Sequence, residues 1–489
     1  MNYFRIFAKS NAIRNKQMKH IVVLVASLFI ATMACAQTVN LHMKNGEVIK
    51  YNTSEIDYID FTDSSGESDS PVIDNELTIL LYMPWTGSLS SEGLYPYLTE
   101  NVESVCAAIE GMKGMTDYRL MLFISESYNK SKLYEITYNE SRAKCEKKLV
   151  KEYSGHEYTA VKGLTDILNE VKNHATAQNY AMVLGCHGTG WTFKDSWHRY
   201  PNYAKKQPPT NSPEGESPKS AQENSSSGGD SPISSPPRGS RWGVPYQNYD
   251  GVITPMHTRF FGSVSDISTF STDIPTLAQA IANAGMKMEY ILFDDCYMAN
   301  VEVAYELRNV TDFLLASTSE VMAVGVPYYS MWASLASVTP GYVDAVSAFD
   351  RFYRDYVMPY GTFSVIDCRQ MDELATAMRE INSKYNKLSD EALHSIQVLD
   401  GFYDPIFYDM GDYLEKLCTG LVDYSFIVIL MESAVCSKCN TAQIYSFLYN
   451  SPIVIDVNTF SGITISDPSI NSVALDGKEK TSWWKATHE

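Results

Sequence analysis

Between residues 77 and 317 apolar residues come in short unbroken runs, separated by stretches where they recur every three to four positions. The runs Leu77–Met83 (LTILLYM), Tyr118–Ser125, Tyr180–Gly185, Tyr290–Phe293 and Phe313–Ser317 are strand-length and carry little polar alternation. Helical spacing fills Tyr97–Met112, Ala160–Asn173, Thr276–Ala284 and Val301–Arg308. Strands that are apolar throughout must be covered on both faces. Their alternation with helices predicts an α/β fold: a mainly parallel sheet between two helix layers. Beyond about residue 385 helix and strand signals mix, which predicts a smaller C-terminal α+β unit over 386–489.

The pattern breaks in three places. Residues 200–241 are rich in Ser, Pro and Gly, cannot bury a core, and read as a long loop between two strands of one sheet. Residues 37–75 hold two alternating apolar runs around Lys44-Asn45-Gly46, the signature of a β-hairpin, followed by a polar linker over 63–74. At the start, Lys16, Lys19 and His20 precede an apolar run from Ile21 to Ala34, then Ala34-Cys35-Ala36. A basic region, a short apolar core and an A-x-A site predict a signal peptide over 1–36 and an exported protein, whether secreted, periplasmic or on the cell surface. A lipid anchor on Cys35 is the rival reading, but Thr32-Met33-Ala34 is a poor lipidation signal. No later segment is long and apolar enough to be a spanning helix.

Composition narrows the partners. The 489 residues carry a formal net charge of −19, which argues against nucleic acid or an anionic membrane. Nine cysteines spread over such a length are no disulfide scaffold, although export allows one or two bridges. Cys436-Ser437-Lys438-Cys439 has C-x-x-C spacing but lacks the second ligand pair a zinc site needs. His156, His174, His198 and His257 have no motif around them and read as solvated or satisfied side chains.

Two constellations carry chemistry. Gly185-Cys186-His187-Gly188-Thr189-Gly190 follows the strand Tyr180–Leu184, so His187 stands at a strand's carboxyl end, where open α/β sheets gather their catalytic groups. Gly188 leaves its backbone open to a substrate. In YILFDDCYMAN, residues 290–300, another strand ends at Asp294-Asp295-Cys296 and a helix follows. The helix N-terminus favours a thiolate at Cys296, whereas the two carboxylates oppose it. Such carboxylates are costly there unless they bind a basic side chain from the floor of a pocket. Taken alone, His187 is equally a structural histidine in a glycine-rich turn, and Cys296 a buried inert thiol. A metal site on Cys186 and His187 is disfavoured, because adjacent residues at a strand end point in opposite directions and no H-E-x-x-H helix exists.

Together the His-Gly and Asp-x-Cys motifs, each at a strand end, resemble the clostripain family of cysteine peptidases, in an exported form of the kind found in Bacteroidetes. The likeness extends over ILLYM (79–83), YMANVEVAYELR (297–308), LLASTSEVMAVGVPY (314–328), SVID (364–367) and FSGITISDP (460–468), from about residue 76 to the end. It implies a caspase-like α/β/α sandwich, with a peptidase domain over 76–385. It also implies that Cys296 attacks the scissile carbonyl and His187 protonates the leaving amine. The amides of Gly188 and Cys296 would form the oxyanion hole, and Asp294, with Asp295 beside it, would bind an Arg or Lys side chain of a protein or peptide substrate. The resemblance also implies a zymogen that cuts itself in the loop between its His and Cys segments. Lys205, Lys206, Lys219, Arg238 and Arg241 lie there, and none is followed by Pro. The resemblance leaves room for a calcium ion and implies no other cofactor.

The chain departs from the family pattern at Asp295, where a small residue is usual, at Pro84-Trp85-Thr86-Gly87, which replaces an Asp-Asn-rich stretch, and in the length of the inter-motif loop. A caspase-like binding protein without activity is the alternative; it would lack a dyad residue, and neither is missing.

Overall fold

The computed structural model describes residues 38–42, 48–52, 75–198, 261–262, 267–356, 361–385, 387–448 and 453–489. The chain divides into two units, Met1–Val72 and Ile73–Glu489. In the first, β1 (Thr38–His42) and β2 (Val48–Asn52) pair antiparallel with Thr38 opposite Asn52 and His42 opposite Val48. These are the two strands expected around Asn45-Gly46. The turn itself, the signal-peptide segment and the linker over 63–74 lie outside the described residues.

The second unit is built on a nine-stranded sheet, counted among the described residues. At its centre β3 (Leu77–Met83) is buried along its whole length, which is why its sequence shows no alternation. It pairs in parallel with β4 (Tyr118–Ser127) on one side and with β7 (Asn179–Gly185) on the other. From β7 the parallel order continues through β8 (Met288–Asp294) to β9 (Thr311–Ala316). Both edges are antiparallel: β5 (Lys130–Asn139) and β6 (Lys144–Ser154) beyond β4, then β10 (Thr362–Asp367) and β11 (Val435–Asn440) beyond β9. The mainly parallel sheet is therefore as expected. The β5–β6 hairpin was not anticipated. Its exposed strand carries Lys147, Lys148 and Lys151, the charged blunting that an open edge requires.

Two cores flank the sheet. Leu77, Ile79, Leu81 and Met83 face one side, under α1 (Tyr95–Met112), α5 (Tyr328–Leu335) and α6 (Tyr342–Arg354). Leu80 and Tyr82 face the other, under α2 (Val161–His174), α3 (Ile274–Asn283), α4 (Val301–Leu307) and α7 (Met371–Lys384). Alternate residues of one strand thus feed opposite layers, giving the α/β/α sandwich. The segment after residue 386 supplies α8 (Leu421–Ala434) and the edge strand β11, so part of it is woven into the main sheet.

The order of connection matters most for the site. From β3 the chain moves to β4 on one side, then returns to β7 on the other and proceeds to β8. The carboxyl ends of β3, β7 and β8 therefore surround a topological switch point, where α/β sheets leave a crevice.

Candidate active site

Strand register brings the two motifs together. Gly185, the last residue of β7, pairs with Asp294, the last of β8. The next residues then meet directly: Cys186 N–H donates to Asp295 Oδ1 at 2.7 Å, and Cys186 Sγ lies 3.3 Å from Asp295 Oδ2. Gly188 is needed for this closeness, because a Cβ there would stand 2.6 Å from the Cys296 carbonyl oxygen and 2.7 Å from Asp295 Cβ. Asp295, which the sequence assigned to substrate, lines the same pocket as His187 and Cys296 and has a further role. Both its carboxylate oxygens are occupied by Cys186, so it ties the histidine loop to the cysteine loop. Burial pushes its pKa up to about 8, against the hydrogen bond from Cys186. At neutral pH it is largely uncharged, which eases the objection that a second carboxylate would suppress the neighbouring thiolate.

His187 and Cys296 line one pocket, together with Asp294 and with Leu94 and Leu98 from the start of α1. Both are nearly buried, at 8% and 5% exposure. Burial lowers the His187 pKa to about 4, so the imidazole is neutral. The Cys296 thiol is pushed well above its ordinary value, first by burial and then by Glu320. The helix α4 begins only at Val301, and its dipole fades within a turn, so burial outweighs the favourable effect expected from that N-terminus. Cys296 Sγ accepts from Val321 N–H at 3.2 Å and lies 3.7 Å from the Val321 carbonyl oxygen. The resting site is thus a neutral thiol and a neutral imidazole. Among the described residues neither the Gly188 nor the Cys296 amide donates a hydrogen bond.

The turn after Cys296 is strained and held. Tyr297 has φ of 61°, a left-handed conformation that costs a bulky residue of order 1–3 kcal/mol. Its N–H donates to Ser319 O at 2.9 Å, its hydroxyl donates to Glu320 Oε1 at 2.7 Å, and its ring stacks on Phe407. Glu320 also accepts from the Ser446 hydroxyl and from Phe447 N–H at 3.0 Å. Sequence reasoning quoted this segment only for its likeness; nothing local marks Glu320 as the anchor of Tyr297. Glu320→Gln turns an amide N–H₂ towards a set of donors, a mismatch worth about 1–3 kcal/mol. We expect kcat to fall roughly tenfold with KM little changed, measured by steady-state kinetics. An unaltered kcat would deny Glu320 any part in placing the nucleophile.

Asp294 lies at the end of β8 with its carboxylate in the pocket. Oδ1 accepts from Val326 N–H at 2.7 Å, and Oδ2 from the Tyr328 hydroxyl at 2.9 Å, with Asn101 Nδ2 at 3.4 Å. Burial nevertheless pushes its pKa up to about 6. Gly325, at φ of +73°, passes so close that a Cβ would stand 2.2 Å from Asp294 Oδ2. The replaced stretch after β3 has its own use: Thr86 Oγ1 accepts from Leu94 N–H at 2.7 Å and fixes that wall. Among the described residues no group of three or more His, Cys, Asp or Glu side chains gathers as metal ligands. Cys436 and Cys439 are free thiols on β11. His198 has no described side chain. His257 and the five basic residues from Lys205 to Arg241 lie outside the described residues.

The model of the clostripain family matches residues 266–459, the segment that contains Cys296. No curated protein matches the chain at a significant level. Among solved structures, a secreted C11 cysteine protease from Bacteroides thetaiotaomicron, called iotapain, is 35% identical, with 85% of this chain and 100% of that chain covered at a TM-score of 0.68. An inactive zymogen C11 protease from Parabacteroides distasonis is 20% identical, over 85% of this chain and 99% of that one, at a TM-score of 0.62, a likeness of fold. With the first of these identities sustained over most of its length, and with both motifs gathered in one pocket, this chain belongs to the clostripain family of cysteine peptidases.

Proposed function

We propose that the chain is an exported endopeptidase that cuts after Arg or Lys, with Cys296 as nucleophile and His187 as its proton partner. One observation carries the specificity. Asp294 is a nearly buried carboxylate beside His187 and Cys296, and among the described residues no cation pairs with it. Uncompensated buried carboxylates are expensive, and a basic substrate side chain is the compensation that this pocket is fit to receive.

The chemistry follows from the resting state. A neutral imidazole can take the thiol proton as the sulfur attacks the scissile carbonyl. The unengaged amides of Gly188 and Cys296 are suited to receive the oxyanion. The imidazolium then gives its proton to the leaving amine, and water hydrolyses the thioester to release the acid and restore the thiol. The test is a set of peptides bearing Arg, Lys, Ala or Asp before the scissile bond, with Cys296→Ala as control. Cleavage after Arg or Lys alone is expected. Equal cleavage after Ala would reject the reading.

Export rests on the signal-like start of the sequence. The secreted relative supports it, and no helix among the described residues is long and apolar enough to cross a membrane.

Self-processing belongs to the same proposal. A peptidase needs its substrate extended in the cleft, and the polar stretch 200–241 is composed for that. Its flanks, β7 and β8, are hydrogen-bonded neighbours, so two fragments would stay together after the cut. Lys205, Lys206, Lys219, Arg238 and Arg241 are the sites a carboxylate-floored pocket would accept. On denaturing electrophoresis, wild type is expected as two fragments and Cys296→Ala as one chain. Intact wild type with full activity would end the idea.

A further inference from the structure

The outer hairpin and the helix that lines the pocket meet at two thiols. Cys106 lies on α1 and Cys145 on β6, both partly buried against the same core. Cys145 Sγ stands 3.6 Å from the Cys106 carbonyl oxygen. The junction is already pinned on both sides: Cys145 N–H donates to Glu110 Oε1 at 3.0 Å, and Lys144 Nζ pairs with Glu110 Oε2 at 2.6 Å. Glu110 is one helical turn after Cys106, so the turn from 106 to 110 faces the start of β6. Neither sulfur lines the catalytic pocket.

We propose that Cys106 and Cys145 are a disulfide site that staples α1 to the edge hairpin while leaving the catalytic thiol free. The chemistry favours this pair. The Cys145 side chain draws the Cys106 thiol below its ordinary value against the effect of burial, with Lys147 adding to the lowering. Cys145 is pushed up correspondingly, first by the Cys106 side chain and then by burial. Cys106 is therefore the attacking thiolate. It displaces one thiol from a disulfide-bearing oxidant, forming a mixed disulfide. Cys145 then attacks the Cys106 sulfur and releases the second thiol. Two protein thiols lose two protons and two electrons, and the oxidant's disulfide becomes two thiols. Cys368 and Cys418 are buried and are out of an oxidant's reach by comparison.

The bond would act on the active site through α1, whose Leu98 and Asn101 line the pocket. It would hold that wall against the hairpin when substrate enters.

The test uses the full chain in a Cys296→Ala background, which prevents self-digestion. The protein is incubated with oxidised glutathione, denatured, alkylated with N-ethylmaleimide and digested for mass spectrometry. A linked peptide pair containing Cys106 and Cys145, two hydrogens lighter than the sum of its parts, is expected. Both cysteines recovered fully alkylated after the oxidising step would overturn the proposal. Oxidised protein should also melt roughly 4 °C above its reduced form. Cys145→Ser should remove that difference between the two conditions. Because the oxidant is supplied, the outcome does not depend on where the cell sends the protein.

Discussion

Cys296→Ala and His187→Ala are each expected to lower peptide cleavage by at least about three orders of magnitude while the protein stays folded. Groups that act as one unit lose nearly the whole effect when either is removed. Alanine at 296 deletes the nucleophile, and nothing else among the pocket residues replaces it: Cys186, its neighbour across the strand ends, is engaged with Asp295. Alanine at 187 deletes the base. The thiol is then left where burial and Glu320 hold it, protonated and against the Val321 backbone. His187 forms no side-chain hydrogen bond among the described residues, and Cys296 bonds only to Val321, so neither truncation breaks a tertiary network. Each variant should therefore keep the circular dichroism and melting curve of the parent. Kinetics on an Arg peptide, with those two controls, check the expectation. A folded Cys296→Ala protein that still cleaves at the parental rate would end the dyad reading.

What could be seen in the sequence follows from how far each effect reaches along the chain. The strands β3, β7 and β8 were legible because burial on both faces leaves an unbroken apolar run with an abrupt polar end. That end is also where His187 and Asp294 stand, so the site came with the strands. The hairpin β5–β6 was missed because its apolar residues alternate with Lys and Glu, a weak signal beside helix-like spacing. The bond between Asp295 and Cys186 was hidden for a different reason. The two residues lie 109 positions apart in sequence, and only the register of Gly185 with Asp294 brings them together. Glu320 is the same case: it supports Tyr297 through a hydrogen bond across 23 positions, and Ser446 across 126. Long-range polar partners leave no periodicity, so no local pattern announces them.

Asp294→Ala is expected to cut kcat/KM on Arg and Lys peptides by roughly two to three orders of magnitude, and to leave Ala peptides almost untouched. Removing one partner of a buried charge pair costs about 3–5 kcal/mol, because the other charge is left uncompensated. The same carboxylate should impose a pH dependence with a definite sign. Its pKa in the free enzyme is about 6, raised by burial. Below that pH the group is protonated and neutral, and it offers a cationic side chain only a dipole; above it the carboxylate is charged. Since kcat/KM reports the ionisation of free enzyme, efficiency on Arg peptides should fall as pH drops through about 6. Efficiency on Ala peptides, however small, should not share that limb. His187 ionises only near 4, so its own titration lies below the Asp294 limb and does not imitate it. Gly325→Ala is the companion variant: its Cβ would stand on Asp294 Oδ2 and should close the pocket to basic side chains without removing the charge. The profile is measured on paired peptides differing only at the residue before the scissile bond. If wild type and Asp294→Ala give the same pH limb on the Arg peptide, the carboxylate is not the group that reads the substrate.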